Sequence, residues 1–193
     1  MSKKLTTEQI QSIAKHNNIP YAALRAVIEV ECKGSGFNPD NTPVILFERH
    51  IFRRQLIANG KKSLADRLVK ERPDLCYTSM GAYGKYSQQH KRMSEAAQYD
   101  RTSALESASW GIGQVMGFHW KTLGYPSLQS FINAMYKDEA SQLEAMIRYI
   151  KVNKLDVHLR NLNWAAFAKG YNGASYKVNK YDEKLVTAYN KFK

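Results

Sequence analysis

Apolar positions along this chain recur mostly at helical spacing. In "LTTEQIQSIAKHN" (residues 5–17), Leu5, Ile10, Ile13 and Ala14 form one stripe. Thr6 or Thr7 can cap the segment and Glu8 falls in its first turn, which predicts a helix. Pro20 opens a second helix, "YAALRAVIEVEC", expected to run until Gly34 stops it. "PVILF" (43–47) is a short apolar run that suits a strand, and it passes into helical spacing through Ile51, Phe52, Gln55 and Leu56 until Gly60. "KSLADRLVKE" predicts a helix ending before Pro73. The stretch "CYTSMGAYGKYSQQHKRMSEAAQYD" (76–100) is rich in aromatic and amide side chains and reads as a surface or cleft wall. Helices dominate from Thr102 onward: "TSALESAS", "SLQSFINAMY", then "DEASQLEAMIRYIKVN" with Leu143, Met146, Ile147 and Ile150 on one face and Asp138 or Ser141 near its start. "NWAAFAKGYNG" is a short helix closed by Gly173, and the last segment aligns Tyr181, Leu185, Ala188, Tyr189 and Phe192 beside Lys180, Lys184, Lys191 and Lys193. There is no internal repeat or low-complexity tract, and little alternates like strands, so the pattern predicts a mostly α fold.

Composition narrows this picture without redirecting it. A chain of 193 residues, 44% hydrophobic and 24% charged, matches one packed domain, which sets disordered and collagen-like classes aside. Cys32 and Cys76 are too few for a disulfide framework and lack the paired spacing of a zinc site, so synthesis in a reducing compartment is expected, with a bridge between them left open. The N-terminal stretch has no apolar signal core, and no window holds 18 uninterrupted apolar residues. Lys and Arg number 29 against 17 acids, a net charge of +12 that favours polyanions: nucleic acid, anionic lipid or an acidic cell wall.

Several chemistries lack their signatures. "GIGQVMG" (111–117) is not G-x-G-x-x-G and follows a helical segment where a dinucleotide site needs a strand. The five histidines have no i, i+4 partner or clustered carboxylate, so they read as surface or packing residues, and no G-x-S-x-G elbow occurs. No metal or cofactor is expected.

"VIEVECKGSGFNPDNTP" (27–43) is more informative. Glu29 and Glu31 differ by about 200° around a helix and so face opposite sides. Glu29 has Arg25 and Lys33 at four-residue spacing, as in surface ion pairs, whereas Glu31 follows Leu24, Val27 and Ile28 at the end of the buried stripe. A carboxyl at the edge of an apolar face would have its pKa raised by desolvation, as a general acid near neutral pH requires. The alternative is that it caps backbone groups or meets an arginine. Asp40, nine residues on, sits on a Gly/Pro-shaped turn where an ordinary Asx-turn competes with a role in the same cleft. Such a pair could serve glycoside hydrolysis, one group protonating the leaving oxygen and the other activating water or stabilising positive charge. The 12 tyrosines, 3 tryptophans and 7 phenylalanines could wall a sugar groove, or simply fill a core.

With those residues in view, the chain resembles the N-acetylmuramidase domain of phage endolysins, a branch of the lysozyme-like group. "EVECKGSGFNPDNTPVILFERHIF", "ALESASWGIGQVMGFHW", "GYP…FINAM…SQLEAMIRYI", "WAAFAKGYNGASY" and "YDEKLVTAYNKF" carry the likeness over residues 20–192. The resemblance implies a two-lobed helical domain with a catalytic cleft and at most a small strand element. The family's "VES" glutamate maps to Val30-Glu31-Cys32, with cysteine in place of serine, and the Glu-x8-Asp spacing of phage lysozymes maps to Asp40. Those lysozymes carry a threonine six positions after the aspartate, where this chain has Leu46, with Thr42 the nearer hydroxyl. By the same likeness Gln114 lines the groove, Tyr171 supports the catalytic glutamate and Asn172 binds saccharide. Glu48 would lie near the site, though paired with Arg49 or another arginine it reads as structural.

The resemblance therefore implies a hydrolase of the β-1,4 bond between N-acetylmuramic acid and N-acetylglucosamine in peptidoglycan. Glu31 would be general acid and Asp40 base or charge stabiliser, inverting the anomeric centre if the carboxyls lie about 6.5–9.5 Å apart. A lytic transglycosylase, which makes 1,6-anhydro products with one glutamate, and a non-enzymatic basic module that binds nucleic acid or envelope are the alternatives. Residues 1–193 are expected to form a single catalytic domain with no separate wall-binding domain. The protein would be a monomer that does not bind nucleic acid, made in the host cytoplasm and acting on the wall in the periplasm once a holin opens the inner membrane. The basic C-terminal helix could also contact anionic outer-membrane lipid, or simply dock on the core.

Overall fold

The computed structural model describes residues 3–32 and 34–193. Its elements follow in the order α1 (Thr7–His16), α2 (Tyr21–Glu31), β1 (Ile45–Phe47), α3 (Arg49–Ala58), α4 (Lys62–Glu71), α5 (Gln89–Tyr99), α6 (Arg101–Glu106), β2 (Ala108–Trp110) and β3 (Val115–Met116). The remainder is helical: α7 (Leu128–Lys137), α8 (Glu139–Val152), α9 (Asp156–Arg160), α10 (Trp164–Asn172) and α11 (Tyr181–Phe192). The mostly α expectation with a small strand element is met. No described helix is long and apolar enough to cross a membrane.

Local chemistry sets the boundaries. Thr6 accepts from the Gln9 backbone while the Gln9 amide oxygen accepts from the Thr6 N–H, a reciprocal cap that starts α1. Asp138 caps α8 through the Ser141 N–H at 2.8 Å. α2 ends at Glu31, sooner than the break expected at Gly34, so that glutamate is the last helical residue. Two elements differ from the expectation. Residues 89–99, read as part of a surface or cleft wall with no helix assigned, form helix α5; its buried face comprises Gln89, Met93 and Ala96, and a buried glutamine conceals the apolar spacing. "TSALESAS" is helical only to Glu106, after which Ala108–Trp110 pairs as a strand.

The sheet is antiparallel in the order β1-β2-β3, with Leu46 opposite Ser109 and Ser109 opposite Met116. Alternation sends Ile45, Phe47 and Trp110 into the core and leaves Leu46, Ser109 and Met116 together on the other face.

Helix α2 is held from both sides. Ala23, Leu24, Ala26 and Val27 have no exposed area, and each of the two larger side chains contributes about 1.5–3 kcal/mol through burial. α11 packs along α2 with Leu185 and Ala188 buried, so the terminal stripe docks on the core. Arg25 lies 4.2 Å over the Phe192 ring, and Glu29 pairs with Lys191. The exposed placement of Glu29 matches the helical phase. Its partner, however, comes from a helix 162 residues away in sequence, and Lys33 lies outside the described residues.

Candidate active site

The end of α2, the β2–β3 hairpin, the start of the segment after β3, α8 and α10 converge on a pocket of about 230 Å³. Its lining is Glu31, Gly113, Gln114, Val115, Met116, His119, Tyr149 and Tyr171. Three residues singled out in the sequence, Glu31, Gln114 and Tyr171, are thus brought together from positions far apart in the chain.

Glu31 is half-buried where the apolar stripe of α2 runs out. Asn172, the last residue of α10, donates from Nδ2 to Glu31 Oε1 at 3.0 Å. Here the structure gives Asn172 a part the resemblance did not: its amide orients the carboxylate. The Tyr171 hydroxyl lies 3.5 Å from the Gly113 carbonyl, and its ring stacks on Phe167 at 5.5 Å and meets Tyr149 edge-on at 5.8 Å. Burial, then the negative charge of Glu31, pushes its phenol well above the ordinary tyrosine range, so Tyr171 stays a neutral hydrogen-bonding ring. Beside Glu31, the Cys32 thiol is pushed up to about 12 by burial and by the charges of Glu31 and Glu139, which keeps it an unreactive thiol. Cys32 and Cys76 are both free.

Across the pocket, Gln114 sits at the hairpin tip with φ +46°, a left-handed conformation that costs about 1–3 kcal/mol in a non-glycine residue. Its side chain holds that tip: Nε2 donates to Gly111 O at 2.8 Å and Oε1 accepts from Ser109 Oγ at 2.8 Å. Among the lining residues that the sequence did not single out, two carry polar aromatic side chains. Tyr149 was hidden within the helical pattern of α8. His119, read with the other histidines as surface or packing, does pack against Tyr149 at 5.2 Å, yet it also lines the pocket. Burial, then Arg54, lowers the pKa of His119 and keeps the imidazole neutral.

Asp40 is exposed on the turn between Phe37 and Pro43 and is not among the residues lining this pocket. Its Oδ1 accepts from the Thr42 hydroxyl at 2.6 Å and from the Thr42 N–H at 3.0 Å, and these bonds hold its pKa below the usual aspartate value. Thr42, the nearer hydroxyl in the sequence, is therefore its partner. Glu48 follows β1 and faces His50 at 3.8 Å and the Tyr83 hydroxyl at 3.5 Å, where an arginine partner was expected. No group of three or more His, Cys, Asp or Glu among the described residues is arranged to hold a metal.

Against known proteins, the model of the N-acetylmuramidase family matches residues 20–193. The crystal structure of the Burkholderia AP3 phage endolysin superposes with a TM-score of 0.93 at 44% identity, over 99% of this chain and 72% of that one. No curated protein matches the chain. An acid at the edge of a cleft, oriented by an amide and walled by aromatics, agrees with that assignment, and the family and endolysin matches favour hydrolysis over the transglycosylase alternative. The chain belongs to the N-acetylmuramidase family and is a glycoside hydrolase that degrades peptidoglycan.

Proposed function

We propose that this muramidase cleaves the N-acetylmuramic acid to N-acetylglucosamine β-1,4 bond with Glu31 as general acid, and that it serves as a phage endolysin. One observation carries the assignment: Glu31 is the carboxylic acid lining the pocket, and it receives the Asn172 amide at 3.0 Å. The amide on Oε1 orients the carboxyl, and the proton passed to the glycosidic oxygen is assigned to Glu31. As the bond breaks, positive charge develops at the sugar carbon, and Asp40 is proposed to stabilise it or to activate water. Its lowered pKa favours the first role, because a carboxylate held ionised by Thr42 is a weak proton acceptor. Gln114, Tyr171 and Asn172 are proposed to bind saccharide, Gln114 from the hairpin tip, Tyr171 with Tyr149 as an aromatic wall, and Asn172 beside the carboxylate it orients.

Digestion of purified peptidoglycan tests the reaction. Mass spectrometry should find reducing muramic acid ends; ends lighter by one water, the 1,6-anhydro form, would contradict hydrolysis.

The cellular setting extends the same proposal: a single catalytic domain, acting as a monomer, made in the host cytoplasm and reaching the periplasmic wall after a holin opens the inner membrane. Contact with anionic lipid would have to use Lys177, Lys180, Lys184 and Lys193 with exposed Val178 and Val186, since Leu185 and Ala188 are committed to α2. Equal lysis of intact and permeabilised cells after a stable truncation of 178–193 would exclude that contact.

A further inference from the structure

Two buried polar side chains on α8, Glu139 and Gln142, take no part in the pocket lining, yet they join its two walls. The Glu139 carboxylate is 7% exposed; Oε1 accepts from the Gly36 N–H at 2.8 Å and from Ser35 Oγ at 3.1 Å, while Oε2 accepts from the Leu5 N–H at 2.8 Å. Gln142 has no exposed area. Its Oε1 accepts from the Ile112 N–H at 3.0 Å, and its Nε2 donates to Gly36 O at 3.2 Å and Met135 O at 2.8 Å. One carboxamide thus bonds both the segment that follows Glu31 and the hairpin turn that carries Gln114.

The approach is close enough to dictate residue type on both sides. A Cβ on Gly36 would lie 1.9 Å from Gln142 Oε1, and a Cβ on Gly111 2.5 Å from its Cδ. Gly36 is further tied to the sheet, its carbonyl accepting from Val44 N–H at 2.8 Å while Val44 O accepts from Gly111 N–H at 2.8 Å. A buried amide with its donors and acceptor matched is costly to disturb and specifies one arrangement of the groups around it.

We propose that Gln142, supported by Glu139, is a positioning residue for glycosidic cleavage: it fixes the segment after Glu31 against the Gln114 hairpin and so sets the geometry across the cleft. The proposal rests on Glu31 being the acid. A displacement of about 1 Å between acid and bound sugar can cost roughly a hundredfold in rate, so the effect should fall on kcat.

The test compares Gln142→Met, Gln142→Glu and Ser35→Ala with the parent chain, measuring kcat and KM on soluble glycan strands, melting temperature, and deuterium exchange at 34–37 and 111–114. Gln142→Met should lower kcat about 10–100-fold with KM within about threefold, in a folded protein whose exchange rises in both segments. Gln142→Glu places an oxygen where Nε2 donated to both the Gly36 and Met135 carbonyls, so it can restore at most one of those bonds, and its kcat should fall between those of the parent and Gln142→Met. A folded Gln142→Met with parental kcat, or a loss that only tracks the unfolded fraction, overturns the proposal. If the Gln142 variants do not fold, Ser35→Ala decides: the side chain is exposed, and a kcat loss of roughly two- to fivefold is expected, an unchanged kcat overturning the clamp. Glu31→Gln in the same assay separates the layers. Retained hydrolysis there removes the acid assignment and the clamp together, whereas an inactive Glu31→Gln beside a fully active Gln142→Met removes only the clamp.

Discussion

The end of α2 and the turn 38–42 each present one carboxylate, nine residues apart in sequence, in opposite physical settings. Glu31 is half-buried at the lip of a pocket, oriented by an amide that arrives from the far end of the chain. Asp40 is exposed and bonded within its own turn by Thr42. The contrast shows that an acid's role follows from what the fold brings to it: tertiary contacts build the first environment, and a two-residue local motif builds the second. A proton donor needs the first kind of setting, and a permanently charged group is served by the second.

Short of removing Glu31 itself, the largest expected effect comes from stripping it of its tertiary partner. Asn172→Ala should lower kcat about 10–100-fold with little change in KM, measured on soluble glycan strands, because the carboxyl loses its orientation. Asp40→Asn should cost less, roughly threefold to tenfold, since an exposed charge acts through solvent. A loss equal to that of Asn172→Ala would erase the distinction between the two regions.

Thr42→Ala should act more subtly still. Without the hydroxyl, the Asp40 pKa rises toward its ordinary value of 3.8, so the acid limb of the activity profile should move up in pH while the plateau near neutrality stays put. The smallest effect concerns stability. Because burial lowers the His119 pKa in the folded state, the unfolded chain binds the extra proton first, and stability should decline as pH falls through about 6.5 toward the lowered folded value. His119→Gln should flatten that part of a plot of melting temperature against pH.

The sequence carried what is local. Helical phase separated Glu29 from Glu31, the Gly34 to Asp40 bend was visible, and Asp138 and Thr6 announced their caps, because spacing and capping are encoded within a few residues. What escaped was set by distant partners. Helix α5 hides behind buried Gln89, whose amide serves the Phe47 N–H and the Tyr83 and Lys85 carbonyls. Strand β2 exists because β1 and β3 flank it, although "TSALESAS" reads as helix in isolation. Tyr149 and His119 became cleft residues only when α8 met the segment after β3. The Asn172 bond to Glu31 spans 141 positions, and no local pattern could place it.

The most direct test is hydrolysis of purified peptidoglycan by Glu31→Gln, with circular dichroism and melting temperature matched to the parent chain. The expected result is a native fold with activity lowered about 10²–10⁴-fold, the share a general acid supplies. A folded Glu31→Gln that still releases muropeptides at the parental rate would contradict the account.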